Sequence, residues 1–327
     1  MFKNETNIKA NYIAGQPDIW TGRKTDAELA PQYWYQHISC GSLYDLNENN
    51  APKFGLIGYA CDEGVKRNFG RVGAVNGPIL IREKLGKLPL HFKQSVVDFG
   101  NITCVDANLE SCQNAFALAI RHLIENKVFP LAIGGGHDIA YAHYKGLKEA
   151  LPQQRIGIIN FDAHFDLRPV EDVANSGTPF NQLLSEFKGK GEAVDYFAIG
   201  IQKQSNTKQL FDIAKHYNVD YILSDACSDS KKALQQLQQK LKPIIEQNDF
   251  LYITIDMDGF SSAYVSGVSA PSPLGFSPKF VYKVLAFLFE SKKVLACDIA
   301  ELNPKYDTDG QSASLAAKLI DYISTLN

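Results

Sequence analysis

Arg155-Ile156-Gly157-Ile158-Ile159-Asn160-Phe161 runs directly into Asp162-Ala163-His164-Phe165-Asp166. The first seven residues are apolar enough to read as a strand buried on both faces, the kind found in parallel sheets. The next five carry two carboxylates and an imidazole, each two residues from the next. In extended backbone such side chains leave on one side. Packing gives no reason for two acids at that point, because a buried charge is costly unless paired or metal-bound.

The same rhythm repeats along the chain. Short apolar runs at 54–59, 95–99, 128–133, 155–161, 194–199, 219–223, 250–255 and 293–298 alternate with segments of helical pattern. These fall at 78–85, 109–126, 139–150, 206–216, 228–247, 278–290 and 312–326. Strand alternating with helix predicts a mostly parallel sheet covered on both faces, in one domain spanning 1–327. The first fifty or so residues are irregular and aromatic-rich, and are expected to wrap over the main body.

Composition narrows the classes. The chain has 327 residues, 45% hydrophobic and 21% charged, with a formal net charge of -3. It can bury a sizeable core. No basic field draws in nucleic acid, and no run nears the ~18 apolar residues of a membrane span. Met1-Phe2-Lys3-Asn4-Glu5 lacks the apolar core of a secretory signal. Six cysteines at 40, 61, 104, 112, 227 and 297 form no CxxC, which argues against a disulfide framework or a cysteine zinc site and fits a reducing cytoplasm.

In open α/β sheets ligands bind beyond the carboxyl ends of strands. Three such ends concentrate chemistry here. After 128–133 comes Gly134-Gly135-Gly136-His137-Asp138; after 155–161 comes Asp162/His164/Asp166; after 250–255 comes Asp256-Met257-Asp258. A lone histidine is ordinarily structural, and a lone Asp-x-Asp often caps a turn. Two acidic groups and a glycine-presented histidine in one sheet are harder to read that way. The candidates are His137, Asp162, His164, Asp166, Asp256 and Asp258. Four carboxylates together need divalent cations to be jointly ionised. Two imidazoles, four carboxylates and no thiolate favour Mn²⁺ over structural zinc. Six residues exceed one ion's needs. Two ions sharing them leave room for a bridging water, acidified enough to act as hydroxide near neutral pH. The glycine triplet is neither GxGxxG nor a P-loop, so a nucleotide-binding dehydrogenase has little support.

Taken in order, Gly134-Gly135-Gly136-His137-Asp138, Asp162-Ala163-His164-Phe165-Asp166, Asp256-Met257-Asp258 and Glu301-Leu302-Asn303-Pro304 closely resemble the ureohydrolase family of arginases, agmatinases and formimidoylglutamases. The resemblance runs from about Gly55 to near the end. It implies a three-layer α/β/α fold on an eight-stranded sheet, two Mn²⁺ ions held by the six candidates, a small-molecule substrate, and trimers or hexamers. It further implies that Asp166 moves the nucleophile's proton to the departing nitrogen and that Glu301 orients the imino nitrogen.

Arginases and agmatinases carry a proton-transferring histidine where Ser176-Gly177-Thr178-Pro179-Phe180 puts Phe180. Asp166-Leu167-Arg168, Trp20-Thr21-Gly22-Arg23 and Gly267-Val268-Ser269-Ala270-Pro271 resemble the formimidoylglutamase branch instead. Ser261 stands where many relatives have a further aspartate. Arg168, and secondarily Arg71, would clamp a carboxylate bidentately; the bland alternative for each is a surface ion pair. The expected reaction is hydrolysis of N-formimino-L-glutamate to L-glutamate and formamide. The rivals are agmatinase, arginase, another guanidino-acid hydrolase, or a non-catalytic metal-binding protein of the same fold.

Overall fold

Four apolar strands lie side by side at the centre of the molecule, and their carboxyl ends meet. In this computed structural model, which describes residues 12–26 and 30–327, these are β5 (Phe129–Gly134), β10 (Val294–Ala300), β9 (Phe250–Asp256) and β6 (Ile156–Phe161). All three pairings are parallel. Ile133, Ile299, Ile255 and Phe161 form one row across the four strands. The residue after each of them is Gly134, Ala300, Asp256 and Asp162. Register alone therefore brings both acidic groups and the glycine turn to one edge.

The sheet extends outward on both sides through β3 (Phe54–Ala60), β4 (Val96–Thr103), β7 (Tyr196–Ile201) and β8 (Asp220–Leu223). Two-residue strands β1 (Tyr12–Ile13) and β2 (Ser39–Cys40) both pair with β4, β1 antiparallel. Among the described residues the sheet thus has ten strands rather than the eight expected. Two-residue pairings leave no periodicity to read.

Side chains alternate between two cores. Leu131, Ile133, Ile159, Ile253 and Ile255 pack on one face under helices 77–85, 231–247, 278–290 and 311–326. Ala132, Ile158, Tyr196 and Tyr252 pack on the other, under helices 109–125, 139–150, 179–189 and 208–216. This is the three-layer arrangement expected. Helix 179–189 was not: Pro179 opens it and Phe180, Leu183, Leu184 and Phe187 form its buried stripe.

The described part of the N-terminal segment is mostly irregular but anchored. Trp20 Nε1 donates to Asp98 Oδ2 at 2.9 Å, joining the buried Arg82–Asp98 ion pair, and Trp34 Nε1 donates to Asp321 at 2.7 Å. Met1–Glu5, read above as lacking a signal, lie outside the described residues. Among the described residues no helix is long and apolar enough to cross a membrane.

Candidate metal centre

All six candidate ligands converge, in two groups sharing one residue. Asp162 Oδ2 and Asp256 Oδ2 lie 3.1 Å from His137 Nδ1, and Asp166 Oδ2 lies 2.9 Å from it. On the other side His164 Nδ1 lies 3.5 Å from Asp162 Oδ1 and 3.2 Å from Asp258 Oδ2. Within each group the donor atoms are all within 4.8 Å of one another. Asp162 offers one oxygen to each group.

The convergence is not the strand alternation the spacing predicts. β6 ends at Phe161 and the chain then turns. Asp162 Oδ1 accepts the His164 amide at 2.7 Å, which curls the segment and sends His164 and Asp166 to different groups. Asp166 adopts φ 47° and Glu301 φ 66°. Such left-handed backbone costs a non-glycine residue on the order of 1–2 kcal/mol, so both aims are held by the surrounding structure. Asp256 likewise caps the turn after β9, accepting the Asp258 amide at 2.7 Å. Its capping and clustering roles coexist.

The glycine turn works by close approach. Gly136 N donates to Cys61 O at 2.9 Å, and a Cβ on Gly135 would sit 1.7 Å from that same oxygen. Glu301 locks the turn from β10. Its amide donates to Gly135 O, and its Oε1 accepts the His137 amide, each at 2.8 Å.

Behind the cluster stands a polar chain that the motifs did not reveal. His137 Nε2 lies 3.0 Å from Thr254 Oγ1, whose hydroxyl donates to Asp298 Oδ1 at 2.6 Å. Asp298 also accepts from Tyr252 and meets His143 Nδ1 at 2.6 Å. The Thr254 hydrogen is committed to Asp298, so Thr254 accepts from His137 Nε2–H. In the neutral ring the Nδ1 lone pair then faces three carboxylate oxygens at about 3 Å, which is repulsive without a positive charge between them. Asn160 Nδ2 bridges Asp162 and the Tyr196 hydroxyl. The readable signal for Thr254, Asp298 and Asn160 was a polar residue inside a run otherwise buried on both faces.

Electrostatics carry the same imbalance. Burial, then the charges of Asp258 and Asp162, push the Asp256 carboxyl well above the usual range. Burial, then the Asp162 charge, raises Asp166. Burial also raises Asp258, although His164 pulls it back. Burial would raise Asp162 as well, but hydrogen bonds to His137 and His164 hold it below the usual range. Burial opposes charge on His137 and His164, yet their carboxylate neighbours hold both well above the ordinary imidazole value. Asp258 Oδ1 is buried without a hydrogen-bond partner. An orphaned carboxylate oxygen, an imidazole nitrogen ringed by three carboxylates, and hard oxygen and imidazole donors all fit a pair of divalent cations.

A cleft of 310 Å³ opens over the cluster, lined by His164, Asp166, Asp256, Asp258 and Glu301 at its base and by Arg71 and Arg168 among its other residues. Neither arginine forms an ion pair among the described residues, contrary to the bland expectation. Arg168 Nη1 donates to Asn68 at 2.8 Å. Arg71 donates to the Ser269 and Val268 carbonyls and stacks on Tyr306 at 3.9 Å. Phe180 is fully buried, stacked on Tyr196 at 4.3 Å with its ring tilted 79° to His137. It packs against His137 from the core and offers no proton-transfer group. Ser261 donates to the Pro273 carbonyl.

The family model for the arginase family matches residues 52–325. This chain belongs to the arginase family. Within it, the formimidoylglutamase of Legionella pneumophila (strain Lens) is 40% identical over 313 residues, covering 95% of this chain and 96% of its own length. That of Staphylococcus aureus (strain bovine RF122 / ET3-1) is 39% identical over 319 residues, covering 95% and 99%. The same arginase-family fold appears in the crystal structure of Bacillus subtilis formimidoylglutamase, with a TM-score of 0.80 at 21% identity over 92% of this chain and 93% of that one. It appears also in Trypanosoma cruzi formiminoglutamase with Mn²⁺, with a TM-score of 0.73 at 24% identity over 86% and 97%.

Two outcomes follow from this geometry. Thr254→Val removes the acceptor for His137 Nε2–H and is expected to weaken divalent-metal affinity about 10–100-fold, measured by calorimetric titration. Unchanged affinity contradicts the tautomer argument. The second concerns the metal-free protein. Burial and the Asp258 charge raise Glu301 to about 8, far above its unfolded value of about 4.3. The folded state therefore holds more protons than the unfolded state between about pH 4 and 8, and stability falls as pH rises through that window. His137 and His164 act in the same direction, since their stabilisation is complete below the unfolded imidazole value of about 6.5 and is lost as pH rises through their folded values. The melting temperature of metal-free protein should fall from about pH 5 to pH 8, and Mn²⁺ should raise it more at pH 8. A rise with pH contradicts the account.

Proposed function

We propose that this chain hydrolyses N-formimino-L-glutamate to L-glutamate and formamide, with His137, Asp162, Asp166 and Asp256 holding one Mn²⁺ and Asp162, His164 and Asp258 the other. The observation carrying this reading is one cleft with a metal-donor cluster at its base and two arginines, neither in an ion pair among the described residues, in its lining. The formimidoylglutamase relatives support it at about 40% identity over nearly the whole chain. When bound, such a metal pair supplies Lewis acidity and lowers the pKa of the water it holds.

The chain's own groups account for the remaining steps. Asp166 spends one oxygen on His137 and lines the cleft. Its other oxygen is the proton acceptor for the attacking water and hands that proton to the departing glutamate nitrogen. Glu301 has Oε1 fixed by the His137 amide; Oε2 accepts from the imino nitrogen and orients it. Arg168, held by Asn68 at one nitrogen, keeps donors for a substrate carboxylate. Arg71 adds positive field to the same cleft. Agmatine, with an amine at its far end, would meet repulsion there. The buried Phe180 and Tyr196 rings exclude water from one side of the cluster.

The test is a substrate panel on Mn²⁺-loaded protein. Formamide should be released from N-formimino-L-glutamate, with no comparable urea release from arginine or agmatine. Arg168→Ala should raise KM roughly 10–100-fold, as expected for one lost charge-assisted hydrogen-bonding partner. Urea production from agmatine with a similar kcat/KM contradicts the assignment.

A further inference from the structure

Cys61, Cys104 and Cys112 share no metal-binding spacing in the sequence, which argues against a cysteine site, but the fold brings them together. Cys61 follows β3, Cys104 follows its neighbour β4, and Cys112 lies near the start of helix 109–125. One sulfur from each lies within 4.8 Å of the other two. Cys61 and Cys112 are buried, while Cys104 is partly exposed and gives the group contact with solvent. All three are free thiols.

We propose that these three sulfurs form a second, thiolate metal site for a single soft cation, Zn²⁺ or Cu(I), separate from the carboxylate–imidazole centre. A disulfide would use two of the sulfurs and leave the third without a role. A shared ion uses all three. With metal–sulfur bonds of about 2.3 Å, sulfurs around one ion sit roughly 3.8–4.0 Å apart, inside the observed separation limit. The donor chemistry separates the two centres. Thiolates without carboxylate or imidazole select soft ions, whereas the other cluster offers hard and borderline donors only.

The scaffold suits such a site. Two ligands sit at the ends of paired strands. The third lies in the N-terminal part of a 17-residue helix capped by Asn108, the positive end of the helix dipole. Binding displaces one proton from each thiol to solvent. The site also touches the catalytic architecture. The Cys61 carbonyl accepts the Gly136 amide in the turn that carries His137.

The experiment uses the full chain, reduced and loaded with Mn²⁺, under anaerobic conditions. Titration with Cd²⁺, a visible stand-in for Zn²⁺, should produce a thiolate-to-metal charge-transfer band that saturates at one equivalent. Cys104→Ser should lose the band, and His164→Ala, altered in the other centre, should keep it. Absence of the band, or an unchanged band in Cys104→Ser, overturns the proposal. A second measurement needs no variant: iodoacetamide alkylation of Cys104 in the wild-type chain, followed by peptide mass. Zn²⁺ or Cu(I), tested in separate arms, should slow it at least about tenfold at saturating ion. Protection by one ion identifies which is held; protection by neither overturns the proposal.

Discussion

Four carboxylates, three of them buried, and two imidazoles share one small volume at the ends of four adjacent parallel strands, and their mutual repulsion sets the terms for the structure around them. The sheet makes the meeting unavoidable, because β5, β10, β9 and β6 end in register. Isolated charges do not survive such burial without compensation. The protein supplies part of it through raised imidazole basicity and through capping amides on Asp162 and Asp256. The remainder, including a buried oxygen of Asp258 that nothing satisfies, calls for cations. Left-handed backbone at Asp166 and Glu301, the glycine approach to Cys61, and the Thr254–Asp298 chain all serve to hold this arrangement in place.

Charge is also sorted by depth. Acids occupy the base of the cleft, where cations would neutralise them. The half-buried Arg71 and the exposed Arg168 also line it, with no ion-pair partner among the described residues. A substrate matching both would present a polarisable carbon–nitrogen unit inward and carboxylates toward Arg168 and Arg71. Glutamate-derived amidines have that shape, and agmatine has the opposite charge at its far end.

Much of this was legible in the chain. The eight main strands and most helices follow from apolar runs and helical periodicity, with ends shifted by a residue or a few. The six converging residues follow from acids and histidines placed where packing gives them no purpose. Other features were not legible, for identifiable reasons. The two-residue strands β1 and β2 are too short for any pattern. Helix 179–189 hides behind Pro179 in a stretch whose motif residues read as loop. His143 and Asp298 pair through space across 155 residues. The meeting of Cys61, Cys104 and Cys112 depends on β3 and β4 being neighbours, which no spacing encodes. Asp162, His164 and Asp166 do cluster, but not by i, i+2, i+4 alternation, since the turn after Phe161 divides His164 from Asp166.

Asp162, the residue shared by both donor groups, is placed to stand between two cations. Anomalous diffraction at the manganese edge from Mn²⁺-soaked crystals tests it most directly. The account predicts two peaks flanking the Asp162 carboxylate, one beside His137 Nδ1 and one beside His164 Nδ1. A single peak, or manganese bound away from these two nitrogens, would contradict it.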